Sequence, residues 1–173
     1  MIKYFTNTFE IINLYKKPTT KSEVVTQMIY GDSFSILKKN KNWLRIKTKE
    51  DNYKGYIKNK KFPDYIKPTH KIHVLKSKIY KFPNKQKKIS ELSFSSKLRI
   101  IDKKSKYCKF SKGWVHQKDL KPVSFRHKTP FEKINIFKNI KYKWGGKSFR
   151  GIDCSGLIQI FLNFNNKFCP RDA

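Results

Sequence analysis

The first two thirds of this chain state one pattern twice, and that repetition limits the fold more than any other feature. The two copies run from Asn13 to Ile57 and from Lys78 to Val115. Each opens on an aliphatic residue and a tyrosine with a proline close behind: Leu14, Tyr15 and Pro18, then Ile79, Tyr80 and Pro83. A polar turn and a short strand pattern follow, ending near Gly31 in one copy and Ser95 in the other. Alternating apolar residues come next, Phe34 and Ile36 against Leu98 and Ile100. A strand holding Trp43, Leu44 and Ile46 then matches one holding Tyr107, Cys108 and Phe110. Each copy closes on glycine, aromatic, aliphatic: Gly55-Tyr56-Ile57 and Gly113-Trp114-Val115. Short β-branched and aromatic runs at spacings of about 8–12 residues, broken by turn residues, predict small all-β barrels or sandwiches. Trp43 and Trp114 are expected to pack in their cores. The proline-bearing stretch FPDYIKPTHK reads as the linker, so the expected units are residues 1–66, 67–123 and 124–173.

The third unit has a different character. In TPFEKINIFKNI, Thr129 is placed to cap a helix, Pro130 to occupy its first turn, and Glu132 lies inside it. Phe131, Ile134, Phe137 and Ile140 would then share one helical face. A second, largely buried helix is expected from Ser155, with Leu157, Ile158, Phe161 and Leu162 inside. Between these segments, residues 142–156 hold four of the chain's seven glycines. Asp153-Cys154-Ser155-Gly156 thus falls at a helix N-terminus, where unpaired N–H groups and the helix dipole stabilise an anion. Such a position lowers a thiol from its usual value of about 8.5 and favours the nucleophilic thiolate. The same N–H groups could hold an oxyanion. Gly145, Gly146 and Gly151 would let main chain and substrate pass close to the sulfur. The residues alone leave a second reading open, in which Cys154 is a small buried hydrophobe flanked by turn glycines.

Charge narrows the partners. Forty-one basic and 12 acidic residues give a net charge of +29. That excess favours any polyanion. However, the lysines are spread from end to end and only five of the 41 cations are arginine, the residue that reads base edges and phosphate forks. The charge therefore reads as a solvated surface, with no specific nucleic acid. Three cysteines without a Cys-x-x-Cys pair argue against a disulfide framework and a zinc site, so neither metal nor cofactor is expected. No run of about eighteen apolar residues predicts a membrane span. The opening MIKYFTNTFEIINLYKK lacks the apolar core and cleavage site of a secretory signal, which points to the cytoplasm.

The segment YKWGGKSFRGIDCSGLIQ resembles the nucleophile region of the NlpC-type cell-wall cysteine peptidases, which have a papain-like fold. The matching residues are Tyr142, Trp144, Gly145, Gly146, Gly151, Asp153, Cys154, Ser155 and Gly156; Pro170, Arg171 and Asp172 resemble the family's PRD element. The two repeats are similar to bacterial SH3-like domains. Together they resemble the subgroup acting on free muropeptides, the γ-D-glutamyl-L-diamino acid endopeptidases of the dipeptidyl-peptidase VI type. The resemblance implies an α+β chain: two SH3-like barrels, then the helical start of a papain-like domain whose sheet half is missing. It implies peptidoglycan-derived peptides with a free N-terminal L-Ala as partners. Cys154 would attack the amide between γ-D-Glu and the diamino acid, forming an acyl-enzyme that water hydrolyses. Tyr142 would sit near the thiolate. Asp153 and Ser155 would contact the L-Ala-γ-D-Glu portion, Asp153 favouring the α-ammonium, and Tyr53 would reach the substrate from the first barrel. The family also needs a histidine base downstream of the cysteine, whereas His70, His73, His116 and His127 all precede it. No base is assigned, and the chain reads as the truncated, inactive N-terminal part of an enzyme. The alternative is a non-catalytic SH3-like module that binds wall peptide or protein.

Overall fold

A computed structural model describes residues 2–172. Strands β1 (Tyr4–Thr6), β2 (Ile11–Tyr15), β3 (Val24–Ile29), β4 (Ser33–Lys39), β5 (Trp43–Thr48) and β6 (Lys54–Lys58) form one antiparallel sheet ordered β1-β4-β5-β6-β2-β3. Successive side chains on a strand face opposite ways. Leu14, Met28, Phe34, Leu44, Ile46 and Ile57 therefore share one buried face and make the core of this part. Trp43 is on the other face of β5 from Leu44. It is half-buried, its ring edge-on to Tyr15 at 5.6 Å, and does not belong to the core as expected. Trp114 departs from expectation for the same reason: its neighbour Val115 points inward, and Trp114 is half-buried with Lys109 over its ring.

The second stretch contains β7 (His70–Ile72), β8 (Lys76–Tyr80), β9 (Lys88–Ser93), β10 (Lys97–Leu98), β11 (Asp102–Lys104), β12 (Tyr107–Phe110), β13 (Gly113–His116) and β14 (Leu120–Pro122). They form a five-stranded sheet, β11-β12-β13-β8-β9, and a three-stranded one, β10-β7-β14. Ile72, Ile79, Leu92, Leu98, Phe110 and Val115 fill the core between them, joined by Tyr30 from the turn after β3. The sequence repeat is also a repeat of pairing. Tyr15 faces Tyr56 as Tyr80 faces Trp114, and both leading strands slip register at the same place, Leu14/Tyr15 and Ile79/Tyr80. Gly31 and Ser95 both turn with positive φ, +87° and +69°. At Gly31 a Cβ would lie 2.2 Å from the Lys97 carbonyl oxygen, so the two parts meet backbone to backbone. The copies differ where β4 runs unbroken for seven residues while its counterpart is split into β10 and β11.

Residues 129–140 do not form the α-helix expected from Thr129 and Pro130. They run through turns into a 3₁₀ helix at Ile134–Phe137. Bonds from Glu132 N–H to Thr129 O, Ile134 N–H to Phe131 O and Ile140 N–H to Phe137 O each span three residues. The apolar residues recur every third position, which matches three residues per turn and not 3.6. A short hairpin of β15 (Lys147–Ser148) and β16 (Gly151–Ile152) leads into α1 (Cys154–Phe164), the sole α-helix among the described residues. Its buried face is Gly156, Gln159, Ile160, Phe161 and Phe164, packed on Ile29, Phe94, Phe137 and Ile152. Only Phe161 of the four residues expected inside is fully buried. Leu157 and Leu162 are half-buried, and Ile158 is 42% exposed. Lys71 holds the far end of α1 through its ammonium, which donates to the carbonyls of Val123, Phe125 and Phe164. The molecule is thus mainly β with one helix.

Candidate active site

Helix α1 begins at the cysteine because Asp153 caps it. The Asp153 backbone is extended, and its Oδ1 accepts the Gly156 N–H at 2.7 Å. Cys154 is therefore the first helical residue, and it is exposed. Among the described residues, the N–H groups of Cys154 and Ser155 have no protein acceptor. They are the unpaired donors that every helix start leaves. The other carboxylate oxygen, Asp153 Oδ2, accepts the Gly145 N–H at 2.8 Å and the Arg171 guanidinium at 2.6 Å. Burial works to raise the Asp153 carboxyl, but the bonds from Arg171, Gly156 and Gly145 and the Arg171 charge outweigh it and hold it below the ordinary range. Ser155 Oγ accepts a short bond from Arg171 and lies 3.4 Å from Asp153 Oδ1.

The glycines around Cys154 make room for protein backbone. A Cβ on Gly145 would come within 2.3 Å of the Val24 carbonyl oxygen on β3, and one on Gly156 within 2.5 Å of the Gly146 oxygen. The expected easing of a substrate past the sulfur is not what these contacts show. The glycines clamp the loop onto the six-stranded sheet and onto itself.

Cys154 opens onto a cleft of about 520 Å³. One wall is Tyr142, Trp144, Asp153, Cys154, Ser155, Arg171 and Asp172; the other is Lys16, Glu23, Val25, Tyr53 and Lys54 from the first sheet. All five residues expected at the site, Cys154, Tyr142, Asp153, Ser155 and Tyr53, line this one cleft. Tyr142 is 66% exposed and Trp144 63%, which leaves both rings open to a ligand. Trp144 Nε1 donates to Glu23 Oε1 at 2.9 Å across the cleft. Burial, then the hydrogen bond and negative charge of Asp172, push the Tyr53 phenol up to about 12. Tyr53 is aimed by Asp51, whose Oδ1 accepts the Tyr53 N–H at 3.2 Å. Asp51 Oδ2 in turn accepts Gln159 Nε2 of α1 at 2.8 Å. No histidine lines the cleft among the described residues. Sequence reasoning missed Glu23 and the Asp51–Gln159 link. Glu23 sits in an unremarkable strand lead-in, and its scarcity as one of 12 acids was the only signal.

Residues 14–62 match the model of the bacterial dipeptidyl-peptidase Sh3 domain, and residues 139–173 match that of the NlpC/P60 family. The γ-D-glutamyl-L-lysine dipeptidyl-peptidase of Bacillus subtilis (strain 168) is 29% identical over 171 residues, covering 89% of this chain and 57% of that protein. The chain thus joins a segment similar to the bacterial dipeptidyl-peptidase Sh3 domain to one similar to the NlpC/P60 family. It is also 28% identical over 190 residues to dipeptidyl-peptidase 6 of Lysinibacillus sphaericus, covering 93% of this chain and 69% of that one. The crystal structure of an NlpC/P60 family protein from Bacillus cereus ATCC 10987 shares the fold with a TM-score of 0.81 at 16% identity, over 98% of this chain and 74% of that one. The chain therefore spans a little over half the length of its first curated relative.

Proposed function

We propose that the cleft is the nucleophile side of a cysteine-peptidase site for peptidoglycan-derived peptides, cutting between γ-D-Glu and a diamino acid. The observation that carries this reading is an exposed Cys154 at the first position of α1, facing Tyr53 and Glu23 of the SH3-like part. In this reading residues 1–66 and 67–123 are two SH3-like barrels, and residues 124–173 supply the helical portion of a papain-like domain, working in the cytoplasm. The Cys154 thiolate attacks the amide carbonyl, and the free N–H groups of Cys154 and Ser155 receive the oxyanion. Tyr142, which lines the same cleft as Cys154, orients the carbonyl. Ser155 presents its hydroxyl to the L-Ala-γ-D-Glu portion. Asp153 spends both oxygens on Gly145, Gly156 and Arg171, so it acts mainly by holding the cysteine in place. Glu23 likewise gives one oxygen to Trp144 and the other to Lys16, so the free α-ammonium of L-Ala falls to Asp172, beside Tyr53.

Without a histidine in the cleft, general acid–base help worth about 10²–10⁴-fold is missing. The 173-residue chain is thus expected to bind but not to turn over. The test is alkylation by iodoacetamide, followed by mass spectrometry, with and without L-Ala-γ-D-Glu-L-Lys. Cys154 should be labelled faster than half-buried Cys169 and buried Cys108, and millimolar peptide should slow it. Peptide-independent labelling of Cys154 would sink the peptide reading. Labelling no faster than at Cys169 would favour the second one, a binding module with an inert thiol. Cys154-dependent hydrolysis by this chain would overturn the expected inactivity.

A further inference from the structure

A second cavity, of about 280 Å³, lies between β2 and the segment that leads to Cys154. Lys143 faces it, while the adjacent Tyr142 and Trp144 face the cysteine cleft, so one stretch of backbone separates the two. Four cations converge on this cavity, Lys58, Lys60, Lys143 and Arg150, and no carboxylate lines it. Arg150 is held at 2.9 Å by Glu10. The three lysines enter none of the ion pairs among the described residues, and only Lys60 has another partner for its charge, the Phe9 ring 4.2 Å away. In a chain of net charge +29 an unpaired lysine is ordinary. Convergence of three of them with an arginine on one concave surface is not, because like charges brought together repel unless an anion joins them. The cavity also has a fixed polar floor. Gln27, 2% exposed, accepts the Lys147 N–H at 2.9 Å and donates to Asn13 Oδ1 at 2.8 Å. That fixes the Asn13 amide with its oxygen taken and its nitrogen free to donate. Ile11 and Tyr15 add an apolar wall.

We propose that this cavity is a binding site for a phosphate group, carried by a small phosphomonoester or by a phosphodiester polymer. Charge and shape favour phosphate over a carboxylate. Several cations approach from the β2–β6 side and from the loop side, and a phosphate offers more acceptor oxygens and, as a monoester, up to two charges. The Asn13 amide supplies a neutral donor at the floor, and the Tyr15 wall takes the organic part of the ligand. This site does not depend on the peptidase reading of the Cys154 cleft.

The test is calorimetric titration of the full chain with inorganic pyrophosphate at low ionic strength. Saturable one-to-one binding is expected. K58Q/K60Q/K143Q should weaken it by about tenfold or more. A control of equal charge loss on β11 and β12, K103Q/K104Q/K109Q, should leave it within about twofold if binding is local and not a response to net charge. Single K143E should weaken it likewise, and thermal unfolding checks that each variant is folded. Equal weakening by both triple variants, or no saturable binding by the wild type, overturns the site. Displacement of pyrophosphate by glycerol phosphate assigns a phosphomonoester, and displacement by a short poly(glycerol phosphate) alone assigns the polymer. Displacement by neither overturns the proposal.

Discussion

Arg171 ties the nucleophile loop to the first sheet. It is 3% exposed, and its guanidinium donates to Thr26 Oγ1 at 2.8 Å, to Ser155 Oγ and to Asp153 Oδ2. A planar fork serves three acceptors in fixed directions, which a lysine ammonium cannot do in the same way. Replacing it with methionine keeps the volume but leaves the Asp153 carboxylate buried without its cation. Breaking a buried pair from one side costs about 3–5 kcal/mol. R171M should therefore lose about 3 kcal/mol or more of stability in urea unfolding at neutral pH. The pH dependence has a definite sign. Asp153 is held below its ordinary value, so its contribution is present above the unfolded value of about 3.9 and is lost as pH falls through the folded one. The gap between wild type and R171M should shrink on acidification, and a gap that widens below about pH 4 would contradict this account.

Among the elements, α1 packs on the 3₁₀ segment through Phe161 and Phe137, 5.8 Å apart, and on the stretch before it through His127. His127 stacks on Phe164 near the end of α1 at 5.3 Å, and its N–H is bonded to Asn165 Oδ1 at 2.7 Å. The imidazole Nε2 is buried and has no partner among the described residues. Burial pushes the ring below its ordinary value, and Glu132 at 3.6 Å only partly opposes that. A histidine lowered in this way favours the neutral ring in the fold. Its contribution is complete above the unfolded value of about 6.5 and fades as pH falls through the folded one. Between about pH 7.5 and 5 the wild type should lose more thermal stability than H127F, which keeps the stack and cannot titrate. Equal losses would assign the acid sensitivity elsewhere. The 3₁₀ segment itself was hidden by its capping signals. Thr129 and Pro130 are good helix starters in either geometry, and only the strict three-residue spacing of its apolar residues told them apart.

At the scale of the molecule, the core beneath the cysteine is assembled from three places. Ile29 comes from the six-stranded sheet, Phe94 from the turn after β9, and Phe137, Ile160, Phe161 and Phe164 from the last fifty residues. Arg171 to Thr26, Trp144 to Glu23, Gln159 to Asp51 and the Lys147 N–H to Gln27 tie that last part to the first sheet. An 11-residue helix is shorter than the roughly 12–15 residues at which isolated helices become even marginal in water. Residues 124–173 made alone should accordingly show no helical circular dichroism and no dispersed amide spectrum. A folded isolated fragment would mean that Ile29 and Phe94 are dispensable to this core.

The strand repeat, a helix N-terminus at the Asp153–Gly156 segment (expected from Ser155, found from Cys154) and the nucleophile loop were legible along the chain because each depends on near neighbours. Alternation places Leu44 inward, a carboxylate reaches the N–H three residues on, and glycine is required where backbones touch. Which side of α1 is buried was not legible. Leu157, Ile158 and Leu162 are as apolar as Ile160 and Phe164, and the choice fell to where Phe94 and Ile29 arrive from distant sequence. The far wall of the cleft is of the same kind. Glu23 and Asp51 lie more than a hundred residues before Cys154, and nothing local marks them. They reach the site because a β3 backbone carbonyl packs against Gly145 with no Cβ between them.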